Sequence, residues 1–217
     1  MRPRRGDLLA VALAAALGGG CWWRDVPASP SCPRDRSIVL TTQAEADAFA
    51  TCSAASGVVI RGFENIDTRE LRELSTIDGD LVIGPSTSTE DITLTELHEV
   101  GGAVTITSND LLRGVFLPRL AHAGRIEVDG NLSLQTLSLP SLETVDTSVV
   151  VTDDQELSTI DASALANVGK GLVVTDLPRL TTLVVPSLAH AQSLTVDRVP
   201  KLPPDTEQAL RGKLAAP

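Results

Sequence analysis

The chain has 217 residues, of which 42% are hydrophobic but only 2% aromatic, and it contains no tyrosine. This composition suits a thin core filled by Leu, Val and Ile better than the core of a compact globule. The net charge of −10 and the lack of a basic stripe in the sequence argue against a nucleic-acid partner, and the acidic surface is expected to serve solubility.

Residues 1–20 have the pattern of a secretory signal peptide. Three arginines lie among the first five residues, and Leu8–Leu17 is an apolar run too short to span a bilayer. Three glycines then precede Cys21. This order resembles a bacterial lipoprotein signal, in which the cysteine is acylated, with palmitate for example, and becomes the mature N-terminus. The resemblance implies lipidation at Cys21, and ordinary cleavage within residues 14–20 is the alternative.

Residues 21–36 are predicted to hold the lipid-attachment site and a flexible tether, since proline and serine are frequent there. Trp22 stands where lipoproteins retained in the inner membrane carry an aspartate. The resemblance therefore implies an exported protein that is lipid-anchored in the cell envelope, at the outer membrane.

The chain contains three cysteines, and an exported chain with three leaves one without a partner. If Cys21 carries lipid, Cys32 and Cys52 can form a disulfide in the oxidising envelope. Two free buried thiols are the alternative.

Residues 37–57 are predicted to form an N-terminal cap. A short strand at 37–40 is followed by a helix that begins at Thr42, with Glu45 completing a capping box. This helix is expected to end near Cys52 and to cover the exposed end of the array that follows.

An apolar residue that closes a short β-branched run recurs at a nearly constant interval along the chain. These anchor residues are Ile60, Ile83, Ile106, Val128, Val151, Val174 and Val196. A leucine follows each anchor at an invariant spacing, from Leu74 after Ile60 to Leu210 after Val196. Such a period indicates stacked units, none of which can bury its apolar side alone. Residues 58–204 are therefore predicted to form a β-solenoid of about seven coils, and residues 205–217 a C-terminal cap helix, N-capped by Asp205, and tail.

The N-terminal pattern is more specific. A cysteine, a β run, the TQAEADAFA helix, a second cysteine and the VVIRG and LVIGP strands resemble the start of a receptor L-domain. The resemblance covers about residues 32–202. It implies a mainly β fold, a short right-handed parallel β-helix related to leucine-rich repeats. A leucine-rich-repeat horseshoe is the alternative, but second strands such as TLSLP favour a two-sheeted coil.

Acidic residues follow the anchors of successive coils, and they are weak candidates for a calcium site. These candidates are Asp129, Asp153, Asp154, Asp176 and Asp197. The alternative is a set of turn residues that bond their own backbone. His122 and His190 share a position in the repeat but lie three coils apart, too far to share a zinc ion. No catalytic motif or cofactor site is found in the sequence.

The sequence therefore predicts a non-enzymatic envelope module that presents a solenoid face to a protein or glycan ligand. Two other functions are weighed against it. The first is a carbohydrate-active β-helix enzyme. Its candidate catalytic groups are Asp153, Asp176 and Arg198, which alone in the sequence could bring carboxylates and a basic group together at a groove. The second is an adhesin stabilised by calcium.

Overall fold

The computed structural model describes residues 32–214, which fold into a parallel β-solenoid of about seven coils. The predicted signal peptide, Cys21 and most of the tether lie outside the described residues. Within them, one long sheet has eleven strands and a second sheet has five. Every pair of neighbouring strands for which a register is defined runs parallel, as stacking of successive coils requires.

From residue 81 onward the chain passes repeatedly from the long sheet to the short sheet and back. The long sheet contains β1 Ile38–Leu40, β2 Ala54–Ala55, β3 Val58–Gly62, β4 Thr76–Ile77, β5 Leu81–Ser86, β7 Glu99–Thr107, β9 His122–Asp129, β11 Thr144–Val145, β12 Ser148–Thr152, β14 Asn167–Thr175 and β16 His190–Asp197. The short sheet contains β6 Asp91–Thr93, β8 Gly114–Phe116, β10 Thr136–Ser138, β13 Thr159–Asp161 and β15 Thr182–Val184. The described residues contain two α-helices, α1 Gln43–Phe49 and α2 Pro204–Leu214.

The register of the long sheet confirms the predicted repeat. Ile60 pairs with Ile83, and the pairing continues through every predicted anchor to Val196. All seven anchors are buried, as are the seven leucines that follow them at the invariant spacing. The apolar periodicity of the sequence is therefore the periodicity of the core. The second sheet supports the two-sheeted coil over the horseshoe.

Two coils are one residue shorter than the others, those from Ile106 to Val128 and from Val174 to Val196, and both lose this residue at the same corner. Val100 pairs with Ala123, yet Ala103 pairs with Arg125, so the register shifts at this point. The same shift occurs between Val168 and Gly171 in the pairing of β14 with β16. The deletion is therefore confined to a bulge, and the core positions on either side stay in register.

The N-terminal end of the solenoid carries a short helix. Thr42 caps α1 and forms a capping box with Glu45. Ala46 and Phe49 of this helix are buried against the first coils. A disulfide joins Cys32 to Cys52, with a Cα–Cα distance of 5.5 Å. It ties the first described residue to the chain that leaves α1.

The C-terminal end differs in detail from the prediction. Helix α2 begins at Pro204, two residues before the start that an N-cap at Asp205 implies, so Asp205 lies in its first turn and not at its N-cap. Proline is favoured at the first helical position because its missing N–H would have no partner there. Leu210 packs into the core from this helix. Neither described helix is long and apolar enough to cross a membrane.

Candidate functional site

The acidic corner lies where the chain leaves the long sheet. Asp153, Asp176 and Arg198 occupy equivalent positions of successive coils, each with a positive φ of 53–57°. They line a shallow groove of about 460 Å³. The guanidinium of Arg198 lies 2.6 Å from Asp176 and 3.3 Å from Asp197. The structure thus pairs Arg198 with Asp176, as in the predicted grouping, whereas Asp153 lines the same groove and accepts a hydrogen bond from Gln155.

Asp154 is separated from the other acidic residues by burial. Its side chain is 0% exposed, whereas Asp153 and Asp197 are exposed. Burial raises the pKa of Asp154 to about 7, although hydrogen bonds from Asn131 act in the opposite direction. The side chains of the calcium candidates therefore do not all face one point. Within residues 32–214, no group of three or more His, Cys, Asp and Glu side chains is arranged to hold a metal ion.

Asp154 ends a ladder of polar side chains inside the corner. The side-chain amide of Asn109 donates to Asn131 Oδ1 at 2.8 Å, and that of Asn131 donates to Asp154 Oδ1 at 3.0 Å. Both asparagines are fully buried. Each also donates to a main-chain oxygen of the previous coil, Ile83 O or Ile106 O. The ladder therefore satisfies backbone groups that the turn would otherwise leave without partners.

The histidines lie at the opposite corner. His122 and His190 occupy one column, separated by Thr144 and Asn167, as the spacing predicts. His122 Nε2 lies 3.0 Å from Asp146 Oδ1 on the next coil. This contact is a surface ion pair when the imidazole is protonated, with a third of the His122 side chain exposed.

A polar groove opens at the N-terminal end of the short sheet, and the sequence analysis did not find it. In the first coil a short 3₁₀ helix, Thr68–Glu70, replaces the strand that later coils contribute to this sheet. Thr68 is buried, and its side chain replaces some of the main-chain hydrogen bonds that a strand of the first coil would make to β6. Its hydroxyl donates to Thr93 O at 3.0 Å and accepts from Thr93 N at 2.8 Å. The space left beside this turn is a groove of about 400 Å³.

One wall of the groove is a fixed ion pair. Asp67 accepts two hydrogen bonds from the Arg69 side chain, at 2.8 and 2.7 Å, and a third from the Arg69 main chain. The Arg69 side chain, by its hydrogen bonds, holds the pKa of Asp67 below its usual value. Gln43 of α1 accepts from the main-chain N–H of Asp67 at 2.7 Å. The guanidinium is thereby positioned by an anchored carboxylate.

The opposite wall and floor carry an aromatic ring beside a carboxylate. Phe116 lies on β8, and its ring covers Gly114 of the same strand. A Cβ atom placed on Gly114 would clash with this ring and would lie 2.8 Å from Asp91 Oδ1. The absence of a side chain at Gly114 thus lets the ring and the Asp91 carboxylate meet above the sheet. Phe116 and Asp91 both line the groove.

The sequence contained a signal for this groove. Later coils have a short β-strand sequence at this position, such as DITL, GVFL and TLSL. The first coil has TREL there instead. A missing strand at the end of a sheet leaves unpaired edge groups and space beside them. The folding of Phe116 back over Gly114 depends on packing between coils, which no repeat spacing specifies.

No protein-family model, curated protein or solved structure matches this chain.

Proposed function

We propose that this protein is a non-enzymatic, lipid-anchored recognition module of the cell envelope, with a receptor L-domain-like solenoid that presents one face to a protein or glycan ligand. Helix α1 and the Cys32–Cys52 disulfide cap the solenoid at the end nearest the tether. The acyl group at Cys21 holds the module at the outer membrane. Its mechanism is passive, because a rigid array displays side chains in fixed positions.

The burial of Asp154 supports the non-enzymatic part of this proposal. A general acid needs a pKa near the working pH and contact with the substrate. The pKa of Asp154 is raised to about 7, but its side chain is 0% exposed and cannot reach a substrate. The raised pKa of Asp154 is therefore a consequence of its burial in the solenoid and not a sign of catalysis. Several exposed arginines pair with acids on neighbouring coils, among them Arg113 with Glu90 and Arg179 with Glu156.

The lipid anchor is tested by the intact mass of the chain purified from membranes of its native host, with and without reduction. We expect a mature chain that begins at Cys21 and carries added acyl mass. Reduction should add about 2 Da, for the Cys32–Cys52 bond. An unacylated chain that begins at another residue would overturn the lipid-anchored function.

A further inference from the structure

The charge in the groove beside Thr68–Glu70 is largely balanced. The groove is lined by the carboxylates of Asp67, Glu90 and Asp91. Arg69 neutralises Asp67 at 2.7 Å, and Arg113 lies 3.5 Å from Glu90. Asp91 is left as the main source of negative charge. A polycation would gain little here from electrostatic attraction, since two of the three carboxylates already have cationic partners.

The remaining chemistry is that of hydroxyl recognition. The Asp91 carboxylate offers acceptors, and the Arg69 guanidinium has N–H donors beyond the two that Asp67 uses. Both groups are planar, and they can bind adjacent hydroxyls in pairs. The partly exposed ring of Phe116 supplies an apolar face whose negative potential attracts C–H groups. A pyranose ring presents C–H groups on its face and hydroxyls around its rim, which matches this arrangement.

We infer that the groove binds a neutral sugar unit of a glycan chain, with Phe116 stacking on the sugar ring and Asp91 and Arg69 bonding its hydroxyls. This inference rests on the proposed recognition function and names the ligand class and the site. The groove holds about 400 Å³, which is within the size range of small-ligand sites. The groove is open at the surface, so the rest of a longer glycan can continue across the threonines and serines of the short sheet.

The test begins with the full chain on a printed array of neutral oligosaccharides built from glucose, mannose, galactose and N-acetylglucosamine. The best-bound oligosaccharide is then titrated by calorimetry against Phe116→Leu and Asp91→Asn. Leucine keeps apolar volume but removes the ring, and asparagine keeps the shape of the carboxylate but removes its charge. Leu132→Ala and Asp110→Asn are matched controls, since both residues are exposed outside the groove.

We expect each groove variant to weaken binding about tenfold or more and each control to change it less than about twofold. Amide resonances of Gly114 and Phe116 should shift when the oligosaccharide is added to the wild-type chain, which locates the site independently of the variants. Equal binding by wild type and both groove variants would overturn the inference. The inference would also be overturned if the wild-type chain bound none of the oligosaccharides. The proposed function is tested separately, by the mass measurement of the lipid anchor.

Discussion

Both the main-chain N–H and the side-chain amide of Asn131 donate to one oxygen of Asp154, at 2.7 and 3.0 Å. The other oxygen, Oδ2, is buried and has no hydrogen-bond partner among the described residues. Oδ1 of Asp154 accepts a hydrogen bond from Asn131, just as Oδ1 of Asn131 accepts one from Asn109. Oδ2 of Asp154 therefore corresponds to the side-chain nitrogen of the asparagines in the ladder. In the two preceding coils that nitrogen donates to a main-chain oxygen. A protonated Oδ2 can donate in the same way, and an ionised one cannot.

The first prediction concerns pH. Burial raises the pKa of Asp154 to about 7 in the folded chain, while the pKa of an aspartate in the unfolded chain is about 3.8. Folding therefore favours the protonated form of Asp154. The stability that this group contributes is fully present below its pKa in the unfolded chain, and it is lost as pH rises through its pKa in the folded chain. We expect this group to lower the free energy of unfolding by on the order of 4 kcal/mol between about pH 4 and pH 8. Urea unfolding at several pH values measures this slope.

The variant Asp154→Asn separates this group from the other acids. Its amide should donate where the protonated carboxyl does, so the pH slope due to Asp154 should disappear and stability at pH 8 should rise. Asp153→Asn, at the neighbouring exposed residue, is the control and should retain the slope. Parallel pH profiles for wild type and Asp154→Asn would contradict the assignment.

The second prediction concerns the ladder itself. Asn131→Ala removes the amide that bonds Asn109, Asp154 and Ile106 O, and it leaves several buried groups without partners. We expect a loss of about 2–4 kcal/mol in the free energy of unfolding. Asn167→Ala changes an exposed asparagine and should cost less than about 0.5 kcal/mol. Similar losses from the two variants, measured by urea unfolding, would show that the ladder contributes no more than an exposed asparagine does.

The third prediction concerns close approach between coils. A Cβ on Gly169 would clash with the main-chain oxygen of Asp146 on the preceding coil. Because this neighbour is backbone, it cannot move without disturbing the corner, and Gly169→Ala should cost about 2–3 kcal/mol. Gly212 in α2 has open space around its Cα. Gly212→Ala should therefore stabilise the helix by up to about 1 kcal/mol. Thermal melting of the two variants should move in opposite directions, and a shift in the same direction would refute the packing argument.

The fourth prediction concerns the disulfide. The Cys32–Cys52 bond closes a loop with a sequence separation of 20. In the chain-entropy model its reduction should lower the free energy of unfolding by about 3 kcal/mol. Urea unfolding with and without reductant measures the change. A double variant, Cys32→Ala with Cys52→Ala, should be insensitive to reductant, and a wild type equally insensitive would mean that the loop is already constrained.

Much of the fold follows from the sequence because the core repeats. The column from Ile60 to Val196 and the leucines from Leu74 onward could be aligned without coordinates, and both are buried. The capping box of α1 was also predictable, since Thr42 and Glu45 interact within one turn. The start of α2 was less predictable, because a helix end depends on single residues and not on a repeat.

The candidate sites were less predictable, because their properties depend on side chains from different coils. Asn109, Asn131 and Asp154 each follow an anchor by three residues, but this spacing does not show that all three are buried in a ladder. Asp153 and Asp154 are adjacent and chemically identical, and only one is enclosed. Which side of the corner each faces is set by the positive φ at Asp153, and this backbone conformation has no reliable signature outside glycine.

The sequence by itself determined the period, the buried columns and the presence of a helix at each end of the solenoid, because each depends on apolar spacing or on local chemistry. It paired Cys32 with Cys52 only on the condition that Cys21 carries lipid, and the structure shows this disulfide. Only the tertiary structure decided which carboxyl is buried and how Phe116 lies over Gly114 beside Asp91. The same structure decided that the first coil replaces a strand by a 3₁₀ helix and leaves a groove. These features arise where a coil departs from the repeat, and the consequence of a departure depends on the coils stacked on either side of it.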